Sequence, residues 1–74
     1  KMNKIEFLQE LQEIMMLDNP LIDSVELDSL VEYDSMTRLT LLGLFEDELG
    51  KKIETEDLVK LKTVGDLVLL GGIE

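Results

Sequence analysis

The side chains that could do chemistry in this sequence are hydroxyls and carboxylates. The chain has no cysteine and no histidine. This excludes disulfides, thiolate metal sites, cysteine nucleophiles and a self-contained hydrolase of the Ser-His-Asp type. Serine follows aspartate in three places, at Asp23-Ser24, Asp28-Ser29 and Asp34-Ser35. Such a pair is ordinarily a turn or a helix cap, so its surroundings must decide whether it does more.

The surroundings of Asp34-Ser35 differ from those of the other two pairs. The pair opens an amphipathic pattern over residues 35–49, and Asp34 is a suitable cap for a helix there. Ser35 would then face solvent at the positive end of the helix dipole, where free backbone N–H groups would stabilise an attached phosphate. An apolar strip that faces away from the core starts directly afterwards and consists of Met36, Leu39 and Gly43.

Hydrophobic spacing predicts the two long elements around this serine. A capping-box pattern at Asn3 and Glu6 precedes a helix over about residues 4–16. The second helix, over 35–49, has one core face and a left-handed end at Gly50. The apolar residues of the first helix are Ile5, Phe7, Leu8, Leu11, Ile14 and Met15, and those of the second core face are Leu41, Leu42, Phe45 and Leu49.

The remaining sequence predicts two shorter helices and a long loop. A third helix is expected over residues 55–61, and Thr63 with Asp66 caps a last helix that Gly71-Gly72 ends. Residues 17–34 have no clear period but many apolar side chains, so we expect a long loop packed on the core. The fold class expected is therefore all-α, a four-helix bundle with a long first loop and a short third helix.

Size and charge indicate one small acidic domain. The 74 residues are 45% hydrophobic, so we expect a single domain over residues 1–74, with Lys1 an added residue before a natural start at Met2. The net charge of −10 would repel nucleic acid and attract basic partner surfaces, or would merely keep the chain soluble. No apolar run approaches the roughly 20 residues of a membrane span, and no secretory signal pattern is present. We expect a cytoplasmic monomer.

From Asp34 almost to its end, the sequence resembles the acyl carrier protein family. The motifs are Asp34-Ser35-Met36, Glu46-Asp47-Glu48-Leu49, Ile53 eighteen residues after Ser35, and Thr63-Val64. In that family a serine in this position carries 4'-phosphopantetheine, and the thiol of that arm holds an acyl or aminoacyl group as a thioester. The resemblance implies that Ser35 is the attachment site, that Asp34 and Met36 complete its motif, and that the chain is a carrier rather than an enzyme.

Asp28-Ser29-Leu30 is the alternative attachment motif, because it matches the usual tripeptide of the family better than Asp34-Ser35-Met36 does. However, the position eighteen residues after Ser29 is Asp47, where the family has a buried aliphatic residue. A helix that started at Ser29 would also bury Glu32 or Asp34. We therefore expect Ser29 to be a loop residue.

The resemblance further implies a docking surface and an acyl-chain pocket. The partners implied are a phosphopantetheinyl transferase and acyl-loading and acyl-transfer enzymes with basic patches. The docking residues implied are Met36, Leu39, Thr40, Gly43, Glu46, Asp47 and Glu48, which could otherwise be an ordinary solvated face. The resemblance also implies that core side chains can move apart to shelter an acyl chain. These residues are Leu41, Phe45, Ile53, Leu58, Leu61 and Leu67.

One departure from the family bears on the pathway. Thr40 stands where carriers of fatty acid synthesis usually have an acidic residue, and Arg38 lies two residues before it. Either this change marks a specialised carrier, or Arg38 lies against the core side and takes no part. Met36, in place of the usual leucine, is similar to D-alanyl and some other dedicated carriers. The rival functions are an unmodified acidic interaction module and a divalent-cation binder. The EF-hand spacing is missing, so we expect no metal site.

Overall fold

The computed structural model describes residues 2–73, so the expectation about Lys1 lies outside the described residues. Within them the chain forms four α-helices and one 3-10 turn, and its only β feature is an isolated bridge. The helices are α1 (Lys4–Met15), α2 (Ser35–Leu49), α3 (Thr55–Val59) and α4 (Val64–Leu70), and the 3-10 turn is Leu27–Ser29. The predicted all-α fold, with a long first loop and a short third helix, is confirmed.

The helix ends follow from local sequence. The Asn3 side-chain oxygen accepts from the Glu6 amide at 2.8 Å, and the Glu6 carboxylate accepts from the Asn3 amide at 3.0 Å. An equivalent box joins Thr63 and Asp66 at the start of α4. Gly50 ends α2 with a left-handed φ of 66°, as predicted.

Two helices are shorter than predicted because the chain tightens at their ends. The α1 helix stops at Met15, and Met16 takes a left-handed φ of 55° after it. The α3 helix stops at Val59, and the Leu61 amide then donates to the Leu58 carbonyl three residues earlier at 3.2 Å. Such tight turns are common at helix C-termini, where carbonyl groups lack intrahelical partners.

The core forms where α1 and α2 cross. The rings of Phe7 and Phe45 are both fully buried and meet edge to face, with centroids 5.9 Å apart. By contrast, Ile5 is 68% exposed, since Phe7 rather than Ile5 turns inward on the first turn of α1. The fully buried large side chains are Phe7, Leu11, Leu27, Leu41, Phe45, Leu58, Val64 and Leu67.

The long loop between α1 and α2 follows a fixed course. It pairs with the α3–α4 connection: the Leu27 amide donates to the Lys62 carbonyl at 2.8 Å, and the Val64 amide donates to the Val25 carbonyl at 2.9 Å. The loop buries the side chains of Leu21, Leu27 and Tyr33. These contacts supply the backbone partners that an irregular segment needs, and they lead the chain to the start of α2.

Candidate functional site

Ser35 is the first residue of α2 and is exposed. Asp34, which precedes it, has extended backbone and caps the helix: its carboxylate accepts from the Thr37 amide at 2.9 Å. This hydrogen bond is the main reason that the pKa of Asp34 lies below its ordinary value. A carboxylate that stays ionised near neutral pH therefore stands beside the Ser35 hydroxyl.

The start of α2 fits a phosphate attached to Ser35. The first amides of a helix have no acceptor within it. The Thr37 amide is taken by the Asp34 side chain and the Arg38 amide by the Asp34 carbonyl, at 2.9 and 3.0 Å. The amides of Ser35 and Met36 lie before any intrahelical acceptor, next to the Ser35 side chain. A phosphodiester there would meet N–H donors and the positive end of a 15-residue helix.

Three side chains hold this turn in place, and two of them, Tyr33 and Thr37, were not indicated by the sequence pattern. The Thr37 hydroxyl is buried and donates to the Glu32 carbonyl at 2.6 Å. The Arg38 guanidinium donates to the Tyr33 carbonyl at 3.0 Å. Tyr33 itself is almost fully buried, and its hydroxyl donates to the Leu58 carbonyl in α3 at 3.0 Å. The signal that could have found them was the single tyrosine of the chain, placed two residues before Ser35.

Of the two interpretations of Arg38, the structure favours the one in which it lies towards the core side. The side chain is half-buried over the Tyr33 ring, and its Nε is buried without a hydrogen-bond partner among the described residues. Thr40 is exposed, and its hydroxyl donates back to the Met36 carbonyl at 3.1 Å. The departure from the family that remains on the outer surface of α2 is therefore Thr40.

Most of the predicted docking residues share one exposed face of α2. Met36 is 72% and Leu39 60% exposed, although both are apolar. Thr40, Gly43, Glu46 and Asp47 are also exposed and follow them at helical spacing along that face. Glu48 is set apart from the group, because it lines a hollow towards α1 with Glu6, Gln9, Glu10 and Glu13. We call the face formed by Met36, Leu39, Thr40, Gly43, Glu46 and Asp47 the outer strip.

The predicted pocket residues lie together in the core. Leu41, Phe45, Leu58 and Leu67 are fully buried. Ile53 and Leu61 are half-buried and pack against the same cluster. The side chains fill this space, so an acyl chain could enter it only if they moved apart.

Ser29 lies in the 3-10 turn Leu27–Ser29, and its hydroxyl donates to the Glu26 carbonyl at 2.6 Å. Its predicted place in the loop is confirmed. Within residues 2–73 no cluster of three or more acidic side chains is arranged to hold a metal ion. No helix in the same range has both the length and the apolar character needed to cross a membrane.

A family model matches most of the chain. Curated proteins and solved structures gave no match to the chain. The family model described as the phosphopantetheine attachment site matches residues 6–70, which include Ser35 and all of α2, α3 and α4. Proteins of that family carry 4'-phosphopantetheine bound covalently to a serine. The expected resemblance to phosphopantetheine carriers is thus confirmed, and the chain belongs to the phosphopantetheine attachment family.

Proposed function

We propose that the chain is a carrier whose 4'-phosphopantetheine arm is attached at Ser35. The observation that carries this proposal is the position of Ser35: an exposed hydroxyl at the N-terminus of the longest helix, beside backbone amides that have no intrahelical acceptor. Ser29 offers no comparable site, because its hydroxyl is engaged by Glu26 in a three-residue turn. When bound, the arm supplies a thiol that holds an acyl or aminoacyl group as a thioester.

Once the arm is attached, the chain's own residues bind and present it and make or break no bond of the cargo. Asp34 fixes the first turn of α2, and the Ser35 and Met36 amides receive the phosphate. The outer strip offers Met36 and Leu39 as an apolar centre with acidic residues at its far end, which suits partner enzymes with basic patches. In the attachment step the Ser35 oxygen bonds to the phosphorus of the coenzyme A pantetheine phosphate, the adenosine bisphosphate leaves, and a base of the transferase takes the proton.

The attachment site is tested by intact mass. The chain has three serines, at positions 24, 29 and 35. Each is replaced in turn by alanine, and each variant is incubated with coenzyme A and a phosphopantetheinyl transferase. The parent, Ser24→Ala and Ser29→Ala should each gain one phosphopantetheine group, and Ser35→Ala should gain none. A modified Ser35→Ala variant would contradict the proposal, and an unmodified parent would favour an acidic interaction module instead.

We further propose that the cargo belongs to a specialised acyl, polyketide-type or aminoacyl pathway rather than to housekeeping fatty acid elongation, in a cytoplasmic monomer. The observation in favour is Thr40, an exposed neutral residue in the middle of the outer strip. Mass spectrometry of the protein isolated from its source organism would identify the thioester it holds. A long-chain fatty acyl series on the arm would contradict this second proposal and leave the attachment at Ser35 intact.

A further inference from the structure

One buried side chain links the turn at Ser35 to the far side of the bundle. Tyr33 lies two residues before Ser35 and is 9% exposed. Its hydroxyl donates to the Leu58 carbonyl at 3.0 Å, across twenty-five residues of sequence. On the other side, the Tyr33 carbonyl accepts from Arg38 at 3.0 Å, inside the second turn of α2. Tyr33 therefore contacts α3 through its hydroxyl, and α2 through its carbonyl and its ring.

The Leu58 carbonyl is well suited to this contact. It lies in the last turn of α3, where carbonyl oxygens have no N–H donor within the helix. It accepts from the Leu61 amide at 3.2 Å and from the Tyr33 hydroxyl at 3.0 Å, so both of its lone pairs are used. A tyrosine hydroxyl, with an ordinary pKa of 10.0, is protonated in the neutral range, and burial raises the pKa of Tyr33 further, so the hydroxyl is a donor there.

We propose that Tyr33 is a positioning residue for the modification of Ser35: its hydroxyl bond to Leu58 fixes the direction in which the turn at Asp34-Ser35 leaves the core. The inference rests on the proposed attachment at Ser35. With the bond in place, the turn has one orientation relative to α3. Without it, the ring stays buried but the turn can shift along the carbonyl edge of α3, and the Ser35 hydroxyl shifts with it.

The positioning role of the Tyr33 hydroxyl can be distinguished from simple packing of the ring in the core. If Tyr33 only filled space, phenylalanine would serve equally, because the two rings have the same shape. Tyr33→Phe removes the O–H alone: the ring remains beneath Arg38, and the Tyr33 carbonyl still accepts from the guanidinium. The Leu58 carbonyl keeps its bond from Leu61. The variant should therefore fold, and circular dichroism will check that it does.

The test compares transferase kinetics of the parent, Tyr33→Phe and a control, Val68→Ala. Val68 lies in α4 with 6% exposure, so its truncation weakens the core away from the Ser35 turn. We expect kcat for Tyr33→Phe to fall about 10-fold, within the roughly 100-fold that a misplacement of about 1 Å can cost. KM should stay unchanged, because the outer strip is intact. Val68→Ala should lower stability and leave both constants as in the parent.

Amide hydrogen exchange gives a readout that does not depend on the transferase. In Tyr33→Phe, exchange should accelerate at the start of α2 and the end of α3, and remain as in the parent in α1. The inference about Tyr33 would be overturned if Tyr33→Phe kept the kcat of the parent, or if Val68→Ala lost as much kcat as Tyr33→Phe. Neither outcome would affect the attachment at Ser35. A parent that the transferase leaves unmodified would overturn the attachment at Ser35 and the inference with it.

Discussion

The guanidinium of Arg38 donates a hydrogen bond to the Tyr33 carbonyl at 3.0 Å and lies 5.4 Å from the centre of the Tyr33 ring. The two contacts hold the cation against the end of the long loop, in a cation–π geometry that stabilises it there. The positive charge is thus turned back from the outer strip. The side chains that remain exposed at the start of α2 include Met36, Leu39 and Thr40.

Thr40 should govern recognition by enzymes of fatty acid elongation. The phosphopantetheine-bearing protein, loaded with acetyl and malonyl groups, is expected to turn over more slowly than a housekeeping carrier with the same enzyme. Thr40→Glu should raise the turnover by up to about 5-fold, the effect of one exposed charge pair worth up to about 1 kcal/mol. Arg38→Ala should not raise the turnover, since the guanidinium is held against Tyr33 and away from the outer strip. Equal turnover of the parent and the housekeeping carrier would contradict specialisation.

Association with the transferase should depend on salt and on Met36. The Debye length shrinks from about 10 Å at 0.1 M salt to about 3 Å at 1 M, so steering by Glu46 and Asp47 should weaken over that range. We expect the association rate, measured by stopped flow, to fall as salt rises. Met36→Ala should slow modification because it removes part of the apolar centre. Leu69→Ala, an equally exposed apolar change on α4, should not. A rate indifferent to salt would count against steering.

Stability should decline in acid because of the two aspartate caps. The pKa values of Asp34 and Asp66 both lie below the ordinary 3.8, chiefly because backbone amides donate to the ionised carboxylates. A lowered folded-state pKa contributes stability above 3.8 that is lost as the pH falls from 3.8 through the folded-state value. The urea midpoint should therefore drop over that interval. Asp34→Asn with Asp66→Asn should flatten the drop, and a drop of the same size in that double variant would contradict the argument.

Met16 should be replaceable by glycine with a gain in stability. It ends α1 with φ of 55° and is 87% exposed, so its side chain contributes strain and little packing. The relief of left-handed strain is worth about 1–2 kcal/mol, and the added unfolded-state entropy of glycine costs about 0.4–1 kcal/mol, which leaves a gain between about zero and about 1.6 kcal/mol. Urea unfolding will measure it. Ile5→Gly, exposed within α1, should instead cost about 1 kcal/mol, and a loss at both sites would refute the strain argument.

Sequence predicted the parts of this structure that depend on near neighbours. The caps at Asn3, Asp34 and Thr63 each join residues three apart, so their spacing is visible in the chain itself. Apolar spacing located α2 and its buried residues Leu41 and Phe45 for the same reason.

Contacts between distant residues were beyond that kind of prediction. The bond from Tyr33 to Leu58 depends on how the loop packs on α3, and no spacing rule connects the two positions. The direction of Arg38, by contrast, was one of two alternatives that the sequence offered, and its contacts with Tyr33 favour the core side. Ile5 and Phe7 were equally apolar in pattern, and only the crossing of α1 on α2 decides which of them is buried.

The pairing of the long loop with the α3–α4 connection has a consequence for biosynthesis on the ribosome. Val25 and Leu27 obtain their backbone partners from Val64 and Lys62, which the ribosome adds well after Ser35. Contacts between residues so far apart in sequence form late in folding, because closing the long loop between them costs the most conformational entropy. The hydrogen bond from Tyr33, two residues before Ser35, can form only after Leu58 has been synthesised and has packed against the loop. A nascent or truncated chain that stops short of residue 62 would present Ser35 without these contacts, so a transferase should act on chains that extend past residue 64 in preference to shorter ones.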